Sequence, residues 1–390
     1  MKSNYKKLGK YIHEVSEKNN EENIEKLLGV SISKKFIPSI ANTIGTDMSK
    51  YKIVRTNQFA YGPVTSRNGD KISVALLQES DCIVSTSYTV FEIHKPDELL
   101  PEYLMMWFRR PEFDRYARFM SHGSVREIFG WEEMCDVELP VPDLDKQQQI
   151  VDEYNTIVNR IKLNEQLSKK LEETAQAIYK QWFVDFEFPI TAEYAKSIGK
   201  PELEGKPYKS SGGEMVYNEE LQRDVPCYWD NKYLNKVLDL KNGKTRPKRV
   251  GLYPVYGGNG ILGYADSFNE ENVIIIGRVG AYCGSLYSSV EKCWISDNAI
   301  SAKSTETLNY YFFVLKNLKL NEMSEGTGQP LLTQSLLSEI SLLEPDDKSK
   351  LLYEQIASSF MKYNLLQDKE MTLLTNLRSL LLSKMTKVGT

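Results

Sequence analysis

Groups suited to gripping a polyanion and reading flat heterocycles are gathered in four short stretches. Lys241-Asn-Gly-Lys-Thr-Arg-Pro-Lys-Arg249 carries five positive charges and no negative one, enough to neutralise several phosphates locally. Tyr256-Gly-Gly-Asn259 joins an aromatic ring, glycines that let a backbone approach a ligand, and an amide able to bond adenine bidentately. Ser121-His-Gly-Ser-Val-Arg126 and Ser324-Glu-Gly-Thr-Gly-Gln329 pair hydroxyls and backbone N–H groups with one Arg or Gln. Such a set can hold a phosphate and address a base edge. Each stretch also has a plainer reading, as a solvated turn or a polar cap on the next helix. The recurrence of the last two in both halves of the chain favours the functional one.

Catalytic chemistry is harder to find. Gly258-Asn-Gly260-Ile-Leu-Gly263 fits the dinucleotide fingerprint by letter, but Tyr253-Pro-Val-Tyr-Gly257 precedes it and no helical pattern follows, so a phosphate would meet no helix N-terminus. Gly243-Lys-Thr245 has Leu238 where a P-loop needs its first glycine. The three histidines, at 13, 94 and 122, form no metal-like cluster. The chain contains no Pro-Pro pair, and therefore lacks the Asn/Asp-Pro-Pro-aromatic site of an amino-methyltransferase. An enzyme in its own right is disfavoured, and no metal is expected.

The elements that must position these groups are written twice. Lys6-Lys-Leu-Gly-Lys-Tyr-Ile12 returns as Lys232-Tyr-Leu-Asn-Lys-Val-Leu238, 226 positions later. Leu139-Pro-Val-Pro-Asp-Leu-Asp-Lys146 returns as Leu342-Leu-Glu-Pro-Asp-Asp-Lys348, about 203 positions later, and a long helical pattern follows each copy. The expected organisation is a first globular domain over 1–145, a helix over 146–183, a connector over 184–228, a second globular domain over 229–345 and a second helix over 346–390. Strand-like runs such as Asn272-Val-Ile-Ile-Ile-Gly277 and Tyr88-Thr-Val-Phe-Glu-Ile93 make the globular parts mixed α/β. The connector, rich in Gly, Pro and Ser, reads as exposed.

The first helix shows two seven-residue series, Tyr154, Ile161, Ser168, Ala175, Trp182 and Ile150, Ile157, Asn164, Leu171, Ile178. The second has Leu352, Leu366, Leu373, Leu380 and Ile356, Tyr363, Leu377. These are coiled-coil seams. Either the helices pair antiparallel, giving a pseudo-twofold α+β molecule with a ruler between its globular domains, or each seam serves dimerisation.

Composition adds bounds. Five Cys, at 82, 135, 227, 283 and 293, show no Cys-x-x-Cys spacing, which argues for a reducing compartment. No secretory leader or membrane span is legible, so the cytoplasm is expected. With 49 Lys and Arg against 53 Asp and Glu, the net charge is -4. Binding to a polyanion must come from local patches.

With these residues laid out, the chain resembles the specificity subunit of type I restriction-modification systems. Tyr179-Lys-Gln-Trp-Phe-Val-Asp-Phe-Glu-Phe-Pro189 is similar to that family's sequence at the end of its central helix. Gly251-Leu-Tyr-Pro-Val-Tyr-Gly-Gly-Asn-Gly-Ile-Leu-Gly-Tyr264, Ile274-Ile-Ile-Gly-Arg-Val-Gly280 and Trp294-Ile-Ser-Asp-Asn298 resemble a common recognition-domain type. Phe59-Ala-Tyr-Gly-Pro63 and Ile83-Val-Ser-Thr-Ser-Tyr-Thr-Val-Phe91 look like a divergent one.

The resemblance implies a noncatalytic reader of double-stranded DNA with two target recognition domains, one for each half of an asymmetric split site, and paired helices that fix the gap. Two methyltransferase subunits would bring S-adenosylmethionine for adenine methylation, and restriction subunits would bring ATP and magnesium; the chain itself needs no cofactor and no membrane. Carried onto this sequence, the expected DNA contacts are Ser124, Arg126, Thr327 and Gln329, then Arg246, Lys248, Asn259 and Arg278, with Asn259 and Gln329 as base readers. The competing reading is a coiled-coil adaptor without DNA specificity.

Overall fold

The computed structural model describes residues 5–39, 46–66, 69, 71–123, 127–323 and 330–387. The chain folds into two compact units: Met1–Glu165 with Lys369–Thr390, and Gln166–Asp368. Each holds one globular part and a portion of both long helices.

In the first unit a four-stranded antiparallel sheet runs in the order Ile12–Val15, Thr89–Ile93, Phe59–Tyr61, Val74–Leu76. In the second the order is Asp239–Asn242, Ala299–Lys303, Val273–Gly277, Leu286–Ser289, again antiparallel throughout. The third strand of the second sheet is buried along its whole length, which explains an uninterrupted Val-Ile-Ile-Ile run where a half-exposed strand would alternate. Helices cover one face of each sheet. Pro101–Phe108 and Pro111–Met120 begin with proline at the first turn, where the missing N–H costs nothing. Their Phe108 meets Phe59 and Phe91 edge-on.

The two sequence echoes meet as strand partners. Tyr5–Lys7 pairs antiparallel with Glu138–Pro140, and Asp230–Tyr233 with Ser341–Glu344; Lys6 lies opposite Leu139 and Lys232 opposite Leu342. The opening and closing echoes, repeated at different offsets, thus reproduce one register, and the duplication is structural.

The long helices span Leu144–Tyr179 and Asp347–Lys384. Equivalent aspartates start them: Asp143 Oδ1 accepts from Lys146 N at 2.8 Å, and Asp346 Oδ1 from Ser349 N at 3.0 Å. A π-helical turn, Lys180–Val184, ends the first. Within the first unit Val151 and Tyr154 share a core with Leu382 and Met385, while further along Arg160 and Asn164 bond Glu370. Within the second, Ala175, Tyr179 and Trp182 share a core with Tyr353 and Ala357, and Tyr353 Oη donates to the Ala175 carbonyl at 3.0 Å. In both units the helices run antiparallel, as the seams suggest.

One face was misassigned by the heptad reading. Leu366, Leu373 and Leu380 are 65, 69 and 56% exposed, and Leu352, Tyr363 and Leu377 also face solvent. The buried side is Tyr353, Ala357, Gln367, Leu382 and Met385. The inward face mixes large, small and polar residues without a strict seven-residue step, whereas leucines recurring at seven could mark either face.

The connector is not an exposed linker. It forms the short helix Ala192–Ser197 and the hairpin Met215–Asn218 with Arg223–Pro226. It also buries Phe186, Phe188 and Tyr208, with Phe188 stacked on both Tyr208 and Trp229, the residue that opens the second globular domain. Its Gly, Pro and Ser are turns between aromatic anchors. All five cysteines are free thiols. Among the described residues, no helix is long and apolar enough to cross a membrane.

Candidate nucleic-acid interface

In the second unit the basic run leaves the sheet edge and folds along a hairpin. Gly243 lies so close to Ser296 that a Cβ would overlap the Ser296 carbonyl, so only glycine permits this path. Lys244 is then pinned by backbone and side-chain bonds, its N–H on the Ile295 carbonyl and its own carbonyl on Trp294 Nε1. Lys241 is neutralised locally by Asp239, whose carboxylate hydrogen bond raises the lysine above its ordinary range. Arg246, Lys248 and Arg249 are exposed.

The hairpin pairs Tyr253–Gly257 with Gly260–Ala265 and turns at Gly258-Asn259. The fingerprint-like glycines therefore build an antiparallel turn with no helix behind it. Asn259 is exposed at the tip. Arg246 reaches the outgoing strand, where Nη1 donates to the Leu262 carbonyl at 3.3 Å and the guanidinium occupies the space beside Gly263 that a side chain would fill. The tip rests on the sheet: an ideal Cβ at Gly258 would lie 3.6 Å from Gly277 Cα and 3.7 Å from the Asn298 carbonyl.

A Cβ at Gly277 would itself face the tip, 3.0 Å from Gly258 Cα, and Arg278, next in the chain, directs its guanidinium away toward Asn242. Arg278 Nη1 donates to Asn242 Oδ1 at 3.3 Å; Asn242 Nδ2 donates to Gln334 Oε1 at 3.3 Å; Gln334 Nε2 donates to the Leu240 carbonyl at 2.8 Å. These side chains line a polar cavity of about 580 Å³ together with Asn235, Ser335 and Ser338. Asn242 and Gln334 escaped the sequence reading; only the place of Asn242 inside the basic run pointed to it.

Of the expected residues, Arg246 and Asn259 belong to one hairpin and Lys248 to its basic approach, while Arg278 lines the cavity beside Asn242 and Gln334. Tyr256 does not serve as an open stacking ring. It packs against Val273, Ile275 and Ile295, and burial pushes its phenol upward. Exposed aromatics of this region include Tyr264, Phe268 and Tyr282.

Ser124, Arg126, Thr327 and Gln329 lie outside the described residues. Their flanks are informative. In the first unit His122 and Ile128 exchange backbone hydrogen bonds at 3.1 and 2.9 Å, and Val64 bridges Ile128 in antiparallel fashion. In the second, Val279 bridges Leu331, Gly280 N donates to Pro330 O, and Leu332 N to Arg278 O. In each unit, described residues flanking the repeated segment are therefore bonded to the chain that leaves the third strand of the sheet.

The sequence model of the type I restriction modification DNA specificity domain fits residues 7–173 and again 226–368. The chain belongs to this family. It is 22% identical over 430 aligned positions to the HindI specificity subunit of Haemophilus influenzae, covering 92% of each protein. It is 28% identical over 153 residues to the MjaIX specificity subunit of Methanocaldococcus jannaschii, over 39% of this chain; the matched part spans only 31% of that protein. The crystal structure of the type I system S subunit from M. genitalium shares the fold, with a TM-score of 0.64 at 16% identity, over 98% of this chain and 95% of that one. As a family member, this chain carries two copies of a DNA specificity domain.

Proposed function

We propose that the chain is the noncatalytic, sequence-reading subunit of a type I restriction-modification complex, acting in the cytoplasm on double-stranded DNA. Each specificity domain reads one half of an asymmetric, split target. The supporting observation is that the two family matches, 7–173 and 226–368, fall on two copies of one sheet order and one strand register. One copy per half-site accounts for a bipartite address.

In the second domain, Arg246 and Lys248 contact phosphates, Asn259 at the hairpin tip reads a base edge, and Arg278, held by Asn242, enters the groove. Ser124 and Arg126 serve the first domain, Thr327 and Gln329 the second. Two methyltransferase subunits carrying S-adenosylmethionine methylate adenine at the address, and restriction subunits supply ATP- and magnesium-dependent cleavage.

The test is sequencing of modified bases in host DNA with and without this gene. Loss of N6-methyladenine from one split, asymmetric motif on deletion is the expected result. An unchanged methylation pattern in cells shown to express an active partner methyltransferase would overturn the reading and favour the adaptor.

A further inference from the structure

The first unit contains a cavity of about 410 Å³ lined by none of the DNA-reading groups proposed above. Its walls are Tyr5, Trp107, Phe113 and Tyr116, with Val137 and Thr386. Arg110 enters it while only 4% exposed. The guanidinium lies 4.1 Å over the Trp107 ring. Its carboxylate contact is long, 3.4 Å to Glu112, and Glu112 is itself 47% exposed. Arg110 Nε is buried with no acceptor. A buried cation so weakly satisfied is costly unless something completes its hydrogen bonding.

The second unit shows what covers the same surface in the other copy. By strand register, Tyr5 corresponds to Asn231 and Glu138 to Ser341. Asn231 Nδ2 and Ser341 Oγ both donate to Glu220 Oε2, at 2.7 and 2.9 Å. Glu220 sits at the turn of the hairpin Met215–Asn218 with Arg223–Pro226. A polypeptide hairpin with an oxygen acceptor at its tip thus lies on the corresponding strands. Among the described residues of the first unit, no strand pair takes this place.

We propose that the aromatic pocket of the first unit receives a polypeptide segment of a partner subunit, which inserts an apolar side chain among Tyr5, Trp107, Phe113 and Tyr116 and presents an oxygen to Arg110. The carboxylates of Glu112, Asp136 and Glu138 ring the pocket; Lys7 pairs with Asp136 and Arg115 with Glu112 on the exposed rim, weak surface pairs that basic residues flanking an anchor can exchange with and that offer a nucleic-acid backbone no net positive charge. Identifying the partner as the methyltransferase rests on the function proposed above.

The experiment places the photo-crosslinker benzoylphenylalanine at position 116 of the full chain, co-purified with its methyltransferase, and maps the crosslinked peptide. One methyltransferase peptide with an apolar residue between Lys or Arg is expected. Arg110→Met, whose own melting temperature should not fall, since it removes an under-satisfied buried cation, should weaken association at least tenfold. A complex that forms with crosslinks confined to this chain, and with Arg110→Met binding normally, overturns the docking proposal and leaves the DNA-reading function standing. Failure of the chain to bind the methyltransferase at all overturns that function and the pocket's assignment with it.

Discussion

Arg278 and Asn242 are joined by a hydrogen bond of 3.3 Å from guanidinium Nη1 to amide Oδ1. Asn242 is fixed in turn by Gln334, whose amide is spent on the Leu240 carbonyl. The relay orients a cation without neutralising it, which suits a group that must meet a base edge or a phosphate in one geometry. Arg278→Ala should cost about 1 to 3 kcal/mol on cognate DNA if the contact is bidentate to a base. Asn242→Ala should cost about 0.5 to 1.5 kcal/mol, the worth of one hydrogen bond. Binding by the assembled complex to cognate and single-mismatch duplexes measures both. Loss shared equally by all sequences would make Arg278 a phosphate contact.

Asn259 stands exposed at the turn between Gly257 and Gly260, so its truncation should leave the fold intact. Asn259→Ala is expected to relax one position of the second half-site, at about 1 to 3 kcal/mol, with little change in nonspecific affinity. Methylation mapping in cells carrying the variant would show a degenerate base at that position. Arg246→Ala should instead weaken binding to every sequence and flatten the salt dependence by roughly one counterion.

Glu344 and Lys350 form a buried ion pair, their side chains 3 and 8% exposed, and Tyr311 Oη donates to the same carboxylate at 2.7 Å. Burial alone would lower the Lys350 ammonium; hydrogen bonds to Glu344 and Asp347 reverse this and leave it raised. A raised basic group contributes its stability fully below its unfolded value and loses it as pH climbs through the higher folded one. Lys350 should therefore add no pH dependence to unfolding between about pH 6 and 9. Glu344→Ala, which leaves the buried lysine only the solvent-exposed Asp347, should cost up to about 3 to 5 kcal/mol in urea unfolding.

The second long helix separates what the sequence could reveal from what it could not. Its existence and its start at Asp346 follow from a Pro- and Gly-free run behind a capping residue. Its inward face does not, because Leu366, Leu373 and Leu380 make a better heptad than the residues that are buried. Leu373→Gln should change stability by no more than about 0.5 kcal/mol, as for an ordinary surface site. Ala357→Leu, at a fully buried position, should cost about 1 to 3 kcal/mol by overpacking. Thermal unfolding of the two variants distinguishes the faces. The connector was illegible for a related reason: Phe186 and Phe188 are scattered among turn residues without a period, and only their ring contacts with Trp229, one edge-on and one stacked, make a core. At the DNA-reading hairpin the glycines and Asn259 were legible as local chemistry. Asn242 and Gln334 were not, since 92 positions separate them along the chain.

Both long helices pass from one unit to the other, between 165 and 166 and between 368 and 369. An insertion near Asn164 in the first helix alone would disturb the bond from Asn164 Nδ2 to Glu370 at 3.0 Å and the Arg160 pair at 2.8 Å. Four residues added after Glu165 and four added before Lys369 would keep the internal contacts of each unit while adding just over one turn to each helix. If the paired helices set the spacing of the split target, methylation mapping of the double insertion should return both half-sites unchanged with a longer gap between them. A single insertion should instead lower stability, through loss of the Asn164–Glu370 register. Altered half-sites with an unchanged gap would show that the helices are not the ruler.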